Sequence, residues 1–215
     1  MSLTLHSYWR ATAPYRVRIG LNLKGLPYDY VPVNLLKGEQ HAPDYVATRN
    51  AQHLTPALEV DGQVLTQSLA ILEWLEETHP APPLLPKAPF ARATVRAMAA
   101  LVACDIHPLN NLRVLQYLTQ ELGVSGAQKD AWYAHWVALG LQAVEDSLAR
   151  SPDTGRFCHG DTPGLADCCL VPQVFNARRF NCALDAYPTI TRIVAACEQL
   201  PAFQQAAPSA QPDAE

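Results

Sequence analysis

No apolar run in this 215-residue chain is longer than eight, Ala97 to Cys104, well short of the roughly 20 that span a bilayer. The opening MSLTLHSYWR has no secretory hydrophobic region, so a soluble, cytoplasmic protein is expected. Charge is scarce: 17% of residues carry it, and 16 basic against 20 acidic residues leave a net charge of −4. No overall positive field exists to gather nucleic acid or an anionic membrane surface, and neither is expected as a partner. The six cysteines (Cys104, Cys158, Cys168, Cys169, Cys182, Cys197) show no CxxC spacing and are read as reduced core residues. The seven histidines show neither HxxxH nor Cys/His ligand spacing, so no metal is expected. What is present in quantity is apolar: 49% of residues, which excludes a disordered chain.

The two parts of the chain have different periodicities. In the first, Leu3 to His6 reads as a strand, Pro14 to Lys24 as a helix closed by Gly25, Pro27 to Val33 as a second strand and Ala42 to Arg49 as a short helix. The segments PALEV (56–60) and QVLT (63–66) flank Asp61-Gly62, the strongest hairpin signal in the sequence. Ser68, Ile71, Leu72 and Leu75 then give one apolar helical face, which ends at the proline-rich run HPAPPLLP. Beyond that run only helical periods remain: Val95, Met98, Val102 and Ile106 form one stripe, and Tyr133, Val137, Leu141, Val144 and Leu148 another. Pro108 and Pro172 should kink helices or mark boundaries, and the tail from Ala206 has little to bury and reads as mobile. The fold class implied is a small mixed sheet with helices followed by an all-α part. The expected boundaries are 1–80 for the first domain, 81–89 for a linker and 90–215 for the helical domain.

Four stretches in order along the chain carry a more specific signal: SYWRATAPYRVRIGL (7–21), VPVNLLK (31–37), QSLAI (67–71) and ADCCLVPQV (166–174). Together they resemble the zeta class of glutathione transferases, which includes maleylacetoacetate and maleylpyruvate isomerases. The resemblance covers nearly the whole chain and implies a thioredoxin-like α/β N-terminal domain, an all-α C-terminal domain, glutathione as cofactor and a homodimer. It implies a cis peptide before Pro56, which would turn the backbone of Thr55 toward the ligand, and a Gln67–Ser68 pair holding the γ-glutamyl end of glutathione. Read locally, Ser68 could equally cap the helix that follows. The resemblance also places His41, His107, Asn111 and Arg113 in the glutathione lining, and Arg10, Arg113 and Arg179 against a dicarboxylate substrate. Asp167 matches a structural capping box whose cap position here is Gly164, which has no side-chain oxygen, so only the carboxylate half of the pair remains.

One departure concerns the chemistry directly. The helix-opening Ser-Ser-Cys of the family is here Ala11, Thr12 and Ala13, so Thr12 alone retains a hydroxyl. Thr12 and the backbone N–H groups at the helix start are therefore expected to stabilise the glutathione thiolate, with Arg10 as the second catalytic group. A thiol of pKa about 8.5 is only about 3% ionised at pH 7, whereas one lowered to roughly 6.5 is about 75% ionised, some 25-fold more nucleophile. The reaction implied is cis–trans isomerisation of a maleyl oxo-acid in aromatic-compound or amino-acid catabolism. Arg113 and the APSAQPD tail incline toward maleylpyruvate without deciding between the two substrates. Loss of the Ser and Cys keeps two alternatives in view: a transferase conjugating small electrophiles or α-halo acids, and a non-catalytic glutathione-binding protein.

Overall fold

The computed structural model describes residues 2–215 and groups them into two units, one comprising the chain up to Leu85 with Glu198–Glu215, the other Pro86–Cys197. In the first unit β1 (Leu3–Ser7) leads to α1 (Thr12–Leu23), β2 (Asp29–Pro32), α2 (Pro43–Thr48), β3 (Ala57–Val60), β4 (Gln63–Thr66) and α3 (Ser68–Thr78). The sheet order is β2-β1-β3-β4. The β1–α1–β2 crossover makes its first pair parallel, and the other two pairs are antiparallel. Asp61 (φ 46°) and Gly62 (φ 85°) close the β3–β4 hairpin with the left-handed backbone that a two-residue turn requires. Leu5, Val17, Ile19, Leu21, Leu58, Ile71, Leu72 and Leu75 form the core of this unit with no exposed surface, each contributing about 1.5–3 kcal/mol. Helix α1 starts two residues before the expected Pro14, because Pro14 fits the first turn of a helix, where no N–H is needed.

The second unit is helical: α4 (Pro89–Ala100), α5 (Leu112–Gln120), α6 (Gly126–Arg150), α7 (Leu165–Arg179) and α8 (Pro188–Glu198). Both predicted stripes are buried apart from half-exposed Met98. Pro108 acts as expected. Its missing N–H and its ring break the regular ladder, and α4 passes through a π-helical segment, Leu101–Ile106, into a 3-10 turn, His107–Asn110. Pro172 marks no boundary: α7 continues through it to Arg179. Asp167, 1% exposed, accepts the N–H of Gly164 at 2.8 Å and of Cys158 at 2.9 Å, so it ties the preceding loop to the first turn of α7 without help from a cap side chain. Four cysteines (Cys158, Cys168, Cys169, Cys197) are buried as expected, but Cys104 is exposed and Cys182 half-buried, and none forms a disulfide.

The tail read as mobile and the first part of the segment read as a linker, residues 81–85, belong to the first unit, whereas residues 86–89 group with the second. Glu76 on α3 accepts the N–H of Leu84 (2.7 Å) and of Leu85 (3.3 Å) and pairs with buried Lys24 (2.7 Å), which also donates to Pro82 O at 2.6 Å. The chain after Leu200 forms α9 (Pro201–Ala206), which packs on α1, and then a 3-10 turn, Pro208–Ala210. The reason is polar: Gln211 donates to Gln205 O (2.8 Å) and Ala207 O (2.9 Å), and Asp213 accepts from Tyr30 Oη at 2.6 Å. The helical stretch expected to run to 215 thus gives up residues 198–215 to the N-terminal unit.

Replacing Asp167 by Ala strands two N–H donors, that of Cys158 buried and that of Gly164 half-buried, and is expected to cost about 2–5 kcal/mol, with Asp167→Asn intermediate because its amide oxygen can accept only part of the load. Chemical denaturation followed by circular dichroism checks this, and a cost below about 1 kcal/mol would show that the loop does not depend on the carboxylate.

Candidate active site

In the first unit the candidate residues cluster where loops meet the first turns of α1 and α3. Thr12 opens α1, 5% exposed, behind an N-cap, Ala11, that has no side-chain oxygen, and the first turn holds no acidic side chain. A helix start in this state presents a positive dipole end and is suited to an anion. One turn along, Arg16, 2% exposed, donates to the Ser68 hydroxyl at 3.2 Å and so couples the first turns of α1 and α3. Ser68 is not the cap of α3. Gln67 holds that position with φ 69° and ψ 112°, and the Gln67 carbonyl accepts the first intrahelical bond from Ile71 N at 3.0 Å. A non-glycine residue in that conformation is strained by about 1–3 kcal/mol and is characteristic of ligand clamps.

The strained turn brings Gln67 Nε2 to 2.7 Å from Gln52 Oε1. Gln52 lies in the loop before Thr55, which is held by Tyr45 Oη and Asn50 Nδ2, both donating to Leu54 O at 2.7 and 2.9 Å. The Thr55–Pro56 peptide is cis, as the resemblance implies. His41 ends a 3-10 turn, Glu39–His41, and its Nδ1 lies 3.1 Å from Nδ1 of His53, one ring donating and the other accepting. Gln52 and His53 are partners that the sequence reading missed. Only their position just before the Thr55–Pro56 step could have pointed to them.

Arg10 follows Trp9 in the β1–α1 loop with its guanidinium 5.3 Å from the Trp9 ring and 5.8 Å from that of Tyr8, so its charge rests on aromatic faces beside the start of α1. The second unit supplies the remaining candidates. His107 opens the 3-10 turn created by Pro108, and Asn111 caps α5 by accepting Val114 N at 3.1 Å. Arg113 lies exposed on the first turn of α5. Arg179 ends α7 with its guanidinium 4.7 Å from the Phe180 ring, which is itself stacked on Tyr133 at 3.9 Å. Burial holds the Tyr133 hydroxyl far above its ordinary pKa, so it stays protonated.

The family model for the glutathione S-transferase N-terminal domain matches residues 1–77. Among curated proteins, a maleylpyruvate isomerase from Ralstonia sp. is 51% identical over 98% of this chain and 99% of its own length. A solved holo structure of a maleylpyruvate isomerase, titled as a bacterial zeta-class glutathione S-transferase, is 50% identical and superposes with a TM-score of 0.96 over 99% of this chain and all of that one (100%). A maleylacetoacetate isomerase from Methylobacterium extorquens, solved with bound malonate and GSH, is 42% identical with a TM-score of 0.95 over 99% of each chain.

Gln67→Gly relieves the left-handed strain and is expected to raise stability by about 1 kcal/mol net of glycine's entropy, about 2–4 °C in the unfolding midpoint. Differential scanning calorimetry checks this, and a lower midpoint would mean that the turn is held by the side chain's bond to Gln52 instead.

Proposed function

Because the chain belongs to the zeta-class glutathione transferase family, we propose that it catalyses glutathione-dependent cis–trans isomerisation of a maleyl oxo-acid, maleylpyruvate or maleylacetoacetate, to the fumaryl isomer. The full-length match to a maleylpyruvate isomerase carries this reading. Glutathione lies along the first unit, its γ-glutamyl end at Gln67 and Ser68, its backbone beside Thr55, and its thiol at the start of α1. His41 completes the lining within this unit, and the resemblance adds His107, Asn111 and Arg113. The Arg16–Ser68 bond at 3.2 Å supports the assignment, since it leaves the Ser68 hydroxyl hydrogen to donate to a carboxylate.

Thr12 donates its hydroxyl hydrogen to the thiolate sulfur, and the dipole at the uncapped helix start lowers the thiol pKa further. The thiolate adds to the alkene carbon conjugated to a carbonyl. A C–S bond forms, the π pair moves onto the carbonyl oxygen, and the former double bond becomes single and rotates. Collapse of the enolate expels the thiolate and leaves the trans alkene, so glutathione is regenerated. Arg10 stabilises the enolate and meets a substrate carboxylate, a role that the resemblance also gives to Arg113 and Arg179. The protein acts in the cytoplasm, as a homodimer, in aromatic-compound or amino-acid catabolism.

With glutathione and maleylpyruvate or maleylacetoacetate, the cis enedione band should decay to the fumaryl product while total free thiol stays constant. Thiol consumption would favour a conjugating transferase, and tight glutathione binding without turnover of either substrate a binding protein. Thr12→Ala is expected to lower kcat about tenfold, the value of one charge-assisted hydrogen bond, whereas Thr12→Ser should retain most of it. An unchanged kcat in Thr12→Ala would leave the backbone as the sole stabiliser of the thiolate.

A further inference from the structure

The loop from Tyr8 to Ala11 places Arg10 and Thr12, yet it holds itself weakly. Its internal bond is Ala11 N to Tyr8 O at 3.0 Å, and Ala11 caps nothing with its side chain. Its fixed point is the Trp9 peptide, gripped from both sides. Trp9 N donates to Asp213 Oδ2 at 3.2 Å, and Trp9 O accepts from Arg18 Nη2 at 2.8 Å. Arg18 is fully buried and also donates to Ser7 Oγ (3.1 Å) and Ala206 O (2.9 Å), so one guanidinium joins β1, the loop and the end of α9. The other carboxylate oxygen of Asp213, Oδ1, accepts from Tyr30 Oη on β2 at 2.6 Å. Asp213 is therefore anchored to the sheet by one oxygen and holds the loop with the other.

We propose that Asp213 is a positioning residue for the reaction: its carboxylate, anchored by Tyr30, fixes the Trp9 peptide and through it the placement of Arg10 and of the first turn of α1. The proposal rests on the function proposed above and adds a residue 201 positions from Thr12 in sequence (213 − 12). Two observations make the carboxylate more than a tether. Burial disfavours the charge of Arg18, and Asp213 is among the groups that oppose this, alongside Tyr15, Tyr28 and Tyr30. In addition, a carboxylate accepts from both Tyr30 and Trp9 at once, which the oxygen of a carboxamide, flanked by an NH2 donor, does not match in the same geometry.

The test compares the full chain with Asp213→Ala and Asp213→Asn by amide hydrogen exchange over residues 8–12 without ligand, by kinetics, and by the pH dependence of bound glutathione thiolate absorbance. In Asp213→Ala exchange at Trp9 is expected to rise about tenfold or more, kcat to fall about tenfold with a smaller change in the KM for glutathione, and the thiol pKa to move upward. Asp213→Asn should lie between the two. Unchanged exchange overturns the proposal, as does faster exchange with kcat and thiol ionisation intact, which would make the contact purely structural. Should Asp213→Ala not fold, Tyr30→Phe removes the anchor alone and should produce the same changes in smaller measure; a fully native profile in that variant overturns the proposal. A native protein that binds no glutathione overturns the proposed function, and this inference with it. A native protein that turns over at the same rate as Asp213→Ala overturns this inference alone.

Discussion

The first unit depends on one charge placed where water does not reach. The Arg18 guanidinium lies on α1 with no exposed surface, and burying such a group is tolerable only if its donors find acceptors. It finds them in Ser7 Oγ and Trp9 O, at the end of β1 and in the loop that follows it, and in Ala206 O at the end of α9. The requirement works in both directions. The guanidinium fixes the β1–α1 loop, and the loop together with the ends of β1 and α9 supplies the oxygens that make the burial possible. A helix that would otherwise only pack against the sheet thereby sets the position of the residues at its own start.

Arg16 does the same on the other side of the helix by holding Ser68, so the first turns of α1 and α3 are set in register by buried arginines. This bears on the departure at Ala11 and Ala13. With no oxygen at the cap and no sulfur at the third position, the helix start relies on Thr12 and on the orientation of the backbone, and orientation is what buried guanidinium contacts preserve. The strained Gln67, by contrast, concentrates backbone cost at the point where a ligand's charged end is assigned, the pattern expected where shape is retained for binding at some expense of stability.

Much of this was legible from local chemistry. The Asp61-Gly62 hairpin, the core stripes of α3 and α6 and the disruption at Pro108 follow from turn residues and periodicity, because those signals act over a few residues. The Gly164–Asp167 half-box was readable for the same reason. What could not be read is long in sequence separation. Nothing local marks Asp213 as the partner of Trp9 and Tyr30, so a proline- and alanine-rich tail reads as mobile, although residues 198–215 group with the first unit. Locally Ser68 reads either as a cap or as a contact for a carboxylate, and it is Gln67, in a positive-φ turn after β4, that takes the cap position. The buried arginines did leave a signal: two cations in YRVRI, a segment otherwise fit for the core, demand acceptors, though sequence alone does not name them.

The proposed reaction requires the start of α1 to hold the sulfur of glutathione as an anion, with a threonine in place of the family's serine and cysteine. Ultraviolet titration of glutathione bound to the unmodified protein tests it most directly. The expected thiol pKa is roughly 6.5, lowered from the free value of about 8.5. Saturable binding with the thiol still titrating near its free value would contradict it.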